Sequence, residues 1–221
     1  MKTPLLSINN IHKTYDKTIV LNNLSFELGH HDKISVMGPS GSGKTTLLRL
    51  IMGLEKPNKG EIKINGQSAS NPKHIVLAPH HRQLGVVFQN AALWPHMNIE
   101  KNIYFPVGKN PSKESSDLIH YLCEQMNLFP LLKKYPKHLS GGESKRVALA
   151  RALAANPTLI LMDEPLTNLD KALKEKMMIM IEKIIQDTHK SLIYVSHDID
   201  ECEFFSSNIY HMKEGKLIHA S

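Results

Sequence analysis

Short apolar runs recur along the chain, separated by polar stretches long enough to hold a helix. Lys33–Met37, Leu84–Phe88, Thr158–Met162, Ser191–Val195 and Asn208–Met212 have the composition of strands in a parallel sheet. The spacing between most of them leaves room for crossover helices, which predicts an α/β fold. The beginning reads differently. Leu5–Asn10 and Leu24–Leu28 look like short antiparallel strands, and Gly60–Gly66 ends in an Asn-Gly pair that favours a tight hairpin. Lys174–Asp187 places Met177, Met178, Ile181, Ile184 and Ile185 at helical spacing, a core-facing stripe. From Ala91 to Leu139 the texture changes. Pro95, Pro106, Pro111, Pro130 and Pro136 break the chain into pieces, and the helical stretch Ser112–Met126 has no flanking strand. That predicts one domain: an α/β core over about residues 1–90 and 154–221, with a helical subdomain inserted over about 91–153.

A length of 221 residues with 41% hydrophobic and 22% charged residues is ordinary for a soluble globular domain, and argues against disorder, collagen or a coiled coil. Apolar runs such as Leu159–Met162 are far shorter than the roughly 20 residues a bilayer requires. The opening MKTPLLSINN has no sustained apolar run, so no signal peptide is expected. Cys123 and Cys202 then read as free thiols. The net charge of +6 suits phosphate ligands or an anionic surface, but Lys and Arg are scattered, so charge alone selects no partner.

Three motifs carry chemistry. Gly38–Thr45 matches G-x-x-x-x-G-K-[ST], follows the run Ile34–Met37 and precedes the apolar helix pattern Thr46–Met52. Gly38, Gly41 and Gly43 allow a tight turn with N–H groups pointing inward, and the new helix adds its positive end. Lys44 would reach the β/γ-phosphates, and the Thr45 hydroxyl would ligate Mg²⁺. Secondly, Thr158–Met162 runs into Asp163-Glu164-Pro165. Asp163 at a strand end would hold Mg²⁺ and Glu164 would polarise water, provided the strand stops at Asp163, which Pro165 helps it do. Thirdly, Ser140 and Glu143 fit a capping box before a strong helix sequence. Gly141 and Gly142 in that first turn weaken a helix by about 1 kcal/mol each. They make better sense if something approaches the backbone closely. This predicts a second anion site, open to a nucleotide held by another subunit.

Together these residues resemble the nucleotide-binding subunit of ATP-binding cassette (ABC) transporters, over nearly the whole chain and with motifs in the family's order. Leu139–Glu143 resembles the family's signature motif, with Glu143 where Gln is more common. The resemblance implies a P-loop NTPase core, with an N-terminal antiparallel β subdomain and an inserted helical subdomain. It implies ATP wrapped by Gly38, Pro39, Ser40, Gly41, Ser42, Gly43, Lys44, Thr45 and Thr46, and covered by Ser140, Gly141, Gly142 and Glu143 of a second ATPase subunit. Tyr15 resembles the aromatic residue that stacks on adenine. Gln89 resembles the glutamine that contacts Mg²⁺ and senses the membrane partner. Asp170 lies in what resembles the loop crossing the dimer interface. His197 resembles the switch histidine at the γ-phosphate. Mg²⁺ would then be held by Thr45, Gln89 and Asp163, and catalysis carried by Glu164, His197 and Lys44.

The segments Phe88–Met97 and Asp163–Asp170 resemble importer ATPases of the sugar, polyamine and ferric-iron type, many of which carry an additional C-terminal regulatory domain for which this chain leaves no room. The implied function is a motor subunit, peripheral on the cytoplasmic face of the inner membrane. Its expected partners are permease subunits, a second copy of itself and a solute-binding protein, with no nucleic acid. The alternative within the family is an exporter or lipoprotein-release ATPase. DNA- or ribosome-directed members need tandem cassettes or long insertions, and a small-molecule kinase has no use for Ser140–Gly142. Trp94, the only Trp in the chain, is either a packing residue or, with Leu93 and Met97, apolar surface offered to the permease.

Overall fold

A computed structural model describes residues 3–219. In chain order the elements begin with β1 (Leu6–Tyr15), β2 (Thr18–Leu28), β3 (Lys33–Met37), α1 (Lys44–Met52), β4 (Lys59–Ile64), β5 (Gln67–Ser70) and β6 (Leu84–Val87). There follow α2 (Ile99–Tyr104), α3 (Lys113–Gln125), α4 (Gly141–Ala154), β7 (Leu159–Asp163), α5 (Lys171–Asp187), β8 (Ser191–Ser196), α6 (Ile199–Phe205), β9 (Ile209–Lys213) and β10 (Lys216–His219). The chain forms two compact units: one runs up to Leu84 and resumes at Ser191, the other is Gly85–Lys190.

In the first unit an antiparallel sheet has the order β2-β1-β4-β5. β1 and β2 run well beyond the Leu5–Asn10 and Leu24–Leu28 that the pattern predicts. The reason is a register irregularity at which Asn10 (φ 49°) and Asn23 (φ 54°) turn left-handed and Asn10 Nδ2 donates to Asn23 Oδ1 at 2.9 Å. A bulge shifts the side-chain alternation while pairing continues, so a period-2 reading stops early. The continuation carries β1 on to Tyr15. The Asn65-Gly66 hairpin forms as expected, both residues at positive φ as the primed turn requires.

The same unit holds parallel strands β9, β3 and β8, with β10 antiparallel on the outer side of β9. Ile34, Val36 and the whole of Leu192–Val195 are fully buried, which explains their unbroken apolar reading. β10 lies outside the expected strands: it is only four residues long, and its edge position leaves Ile218 exposed. α1 buries Leu47, Leu48, Leu50 and Ile51 and stops at left-handed Gly53. Behind that end lies Arg82, 1% exposed. Its guanidinium donates to the carbonyls of Leu50, Ile51, Ala69 and Leu77 and to Ser70 Oγ, at 2.6–3.1 Å. Burial pushes its pKa down to about 10.

In the second unit β6 and β7 are neighbours, and α4 packs on α2 and α3. α4 buries Val147, Leu149, Ala150 and Leu153. α3 starts where the Ser112 hydroxyl accepts from Ser115 N–H. α5 starts at Lys171 rather than Lys174, because the Asp170 carboxylate caps it by accepting from Leu173 N–H at 3.0 Å. Fully buried Asn102 holds the loop before α2: its Oδ1 accepts from Trp94 N–H, and its Nδ2 donates to the carbonyls of Trp94, Met97 and Asn98. Among the described residues no helix is long and apolar enough to cross a membrane.

Candidate functional site

β3 and β8 run parallel with Met37 opposite Ser196, so Gly38 and His197 leave the same end of adjacent strands. Ligand sites of open α/β sheets lie at that carboxyl end. The chain turns there through left-handed Gly41 (φ 79°) and Gly43 (φ 108°). Gly38 is needed for room rather than for φ: a Cβ on it would meet the Met212 carbonyl at 2.5 Å. Lys44 is 5% exposed, and its ammonium donates to the Gly38 and Pro39 carbonyls at 2.6 and 2.9 Å. The ammonium is thereby held inside the loop.

α1 begins with no side-chain cap and no acid in its first turn, which leaves the first N–H groups of the helix to an anion. Ser42 Oγ is buried with no hydrogen-bond partner among the described residues, so an incoming oxygen would satisfy it. These features fit a polyphosphate. Pro39, Ser40 and Thr45 are exposed and Thr46 half-buried at the same helix start.

Tyr15 ends β1, 39% exposed. Its hydroxyl donates to Glu55 at 2.5 Å and also hydrogen-bonds Thr46 of α1. Lys13 pairs with Glu55 at 2.9 Å, and its ammonium sits 4.9 Å from the Tyr15 ring centroid. Partial burial, then the Glu55 carboxylate, hold the Tyr15 phenol above its ordinary pKa. The ring is therefore a fixed, protonated plate beside the phosphate loop, and part of it is open to solvent.

The second unit holds the other candidates. Gln89 lies exposed just past β6, and Asp163 is the last residue of the neighbouring β7. The strand does stop at Asp163, and Glu164, just before Pro165, leaves the extended conformation by taking φ 47°. A left-handed non-glycine residue costs about 1–2 kcal/mol. Here a tight turn holds it, with Thr167 donating to the Glu164 carbonyl from both N–H and Oγ1.

The capping box is present: Ser140 Oγ accepts from Glu143 N–H at 3.2 Å, and Glu143 Oε2 accepts from Ser140 N–H at 2.7 Å. That backbone hydrogen bond leads the effects that hold the Glu143 carboxyl below its ordinary pKa. The box uses the Ser140 and Glu143 N–H groups, leaving those of Gly141 and Gly142 for an outside acceptor. The two glycines differ. A Cβ on Gly141 would meet nothing within 4 Å, whereas one on Gly142 would strike Leu173 at 2.8 Å. Close approach to Gly142 is therefore made by this chain's own α5, next to its Asp170 cap, and Gly141 is the position left open.

The first unit thus gathers Tyr15, Gly38–Thr46 and His197, and the second carries Gln89, Asp163, Glu164, Ser140–Glu143 and Asp170. Pattern reading missed Arg82 and Lys145, single basic residues with no motif around them. Trp94 is 42% exposed, and its ring packs on Phe105 at 5.5 Å.

Residues 21–167 match the family described as ABC transporter. The chain is 38% identical over 219 residues to the spermidine/putrescine import ATP-binding protein PotA of Legionella pneumophila subsp. pneumophila, covering 98% of this chain and 59% of that protein. It is 37% identical to the Fe(3+) ions import ATP-binding protein FbpC of Haemophilus influenzae, covering 99% and 62%. With the sulfate/thiosulfate import ATP-binding protein CysA of Synechocystis sp. the identity is 37%, covering 95% and 58%. The chain spans less than two thirds of the length of these relatives. Among solved structures it resembles the dimeric, post-hydrolysis ATP-binding cassette MJ0796 bound to ADP and Pi, with TM-score 0.83, 31% identity and 98% of each chain covered. The glycine-turned helix start around Lys44, the strand-end acids and the capped second glycine motif thus all fall within the residues that match this family, 21–167: the chain belongs to the ABC transporter family.

Proposed function

We propose that the chain is the ATP-hydrolysing motor of a membrane importer. The observation that carries this reading is the uncapped start of α1, wound around a buried Lys44 and sharing its strand end with His197. Relatives named as import ATP-binding proteins support the direction of transport.

Gly38–Thr46 would cradle the triphosphate and Tyr15 would stack on the adenine. Thr45, Gln89 and Asp163 offer hydroxyl, amide and carboxylate oxygens, the hard donors Mg²⁺ takes. When bound, Mg²⁺ would neutralise charge on the β- and γ-phosphates. Glu164 would hold and polarise the attacking water, and His197 would contact the γ-phosphate. Attack is in line, so positioning and charge stabilisation carry the reaction. Ser140–Glu143 of a second copy would close over the nucleotide, with Asp170 at the junction. The two sites then form an isologous pair.

The motor would act from the cytoplasmic face of the inner membrane, docked on permease subunits fed by a solute-binding protein. An apolar groove of about 670 Å³, lined by residues including Met97, Tyr104 and Phe105, suits a permease helix. Leu93→Asp with Met97→Asp is expected to leave MgATP binding intact and abolish co-purification with the permease. Normal assembly by that double variant would place the docking surface elsewhere.

Tyr15→Ala is expected to weaken MgATP binding by about 1–3 kcal/mol, the range for an aromatic–base stack. Equilibrium titration with a fluorescent nucleotide measures it, and unchanged affinity would remove Tyr15 from the adenine site.

A further inference from the structure

α4 does more than present the glycine motif at its start. One turn in, the Lys145 ammonium donates to the Pro165 carbonyl at 2.5 Å and to the Gln89 carbonyl at 3.4 Å. Farther along the same helix, Arg151 donates to the carbonyls of Ala91 and Ala92 at 3.0 and 2.9 Å. Two cations of one helix therefore hold main-chain oxygens of two loops. One is the loop that starts at Gln89. The other is the turn in which Pro165 follows left-handed Glu164. Lys145 lines a small, mostly apolar cavity together with Val87, Leu149, Met162 and Leu166. An ammonium suits this junction, because it has three donors for the two carbonyls.

We propose that Lys145 is a positioning residue for hydrolysis: it fastens the Glu164 turn to the helix whose first turn carries Ser140–Glu143. The inference rests on the reading of Glu164 as the water-polarising group. α4 keeps its own place through Val147, Leu149, Ala150 and Leu153, so the turn and not the helix depends on the tether. Glu164 holds a backbone conformation that its residue type disfavours. A hydrogen bond to the next carbonyl is a direct way to keep it there.

Lys145→Met removes the donors and keeps most of the stem. It is expected to lower kcat about tenfold or more, as small misplacements of reacting groups do, with MgATP affinity unchanged and the thermal midpoint lowered by only a few degrees. Lys145→Arg, which keeps a cation with donors, should recover part of the rate. In a Glu164→Gln background, Lys145→Met should leave the residual single-turnover rate unchanged, because a residue acting through Glu164 has nothing left to position. If Lys145→Met does not fold, Lys145→Gln, with one amide donor, carries the same comparison. Wild-type kcat in the single variant, or a loss that adds to that of Glu164→Gln, overturns the inference and leaves the assignment of Glu164 standing. Wild-type turnover by Glu164→Gln alone overturns that assignment and this inference with it.

Discussion

Glu164→Gln should bind MgATP as tightly as the wild type, form a stable dimer on it, and lose turnover by about 10²–10⁴-fold, the contribution of a general base. The carboxylate and the amide have nearly the same shape, so the left-handed turn, closed by Thr167 onto the Glu164 carbonyl, is retained. What is lost is the acceptor for a proton of the attacking water. The phosphate loop belongs to the other unit and is untouched. Binding and chemistry should therefore separate: gel filtration with and without MgATP reads the dimer, and phosphate release reads the rate. A variant that stays monomeric at saturating MgATP would remove the composite site. One that turns over normally would remove Glu164 as the base.

Arg82→Met should destabilise the fold by about 2–6 kcal/mol, a large part of the roughly 5–15 kcal/mol that holds a domain together. Methionine fills similar space but donates nothing. The carbonyls of Ile51 and Leu77 would lose a buried donor, at about 1–3 kcal/mol each, whereas Leu50 keeps the Gly53 N–H and Ala69 those of Val76 and Leu77. Arg82→Lys should recover little, because a point ammonium cannot reach oxygens spread around a planar fork. Urea unfolding gives the measurement. A midpoint equal to that of the wild type would show that water replaces the guanidinium at no cost.

The contrast between Lys44 and Arg82 shows what was legible in the chain. Lys44 sits in a motif whose glycines are there for backbone geometry, and that geometry is a local property that adjacent residues determine. Arg82 satisfies the nearby Leu77 carbonyl but also carbonyls of α1 and β5, which lie outside any short window around position 82. The buried strands β3, β7 and β8 could be read because burial on both faces makes a run uniformly apolar. β10 and the outer parts of β1 and β2 could not, because an edge position and a bulge each erase the expected pattern. Among the site residues, Glu164 was found by its neighbours, but its left-handed backbone is set by a turn closed three positions later. Gly142 was read as room for a ligand and is room for Leu173. That contact is between two helix starts, and nothing near Gly142 in the chain announces it.

The loop from Trp94 to Asn98 takes its shape from a residue outside it. Asn102 supplies the hydrogen bonds at both ends of this segment and is itself fully buried in the first turns of α2. The exposed side chains of Trp94, Pro95 and His96 take no part in that scaffold. Scaffold and address are therefore separate: the outward residues can be exchanged without remaking the loop. A lineage, or a protein engineer, could redirect the surface to a new partner by changing side chains alone, as long as Asn102 is kept.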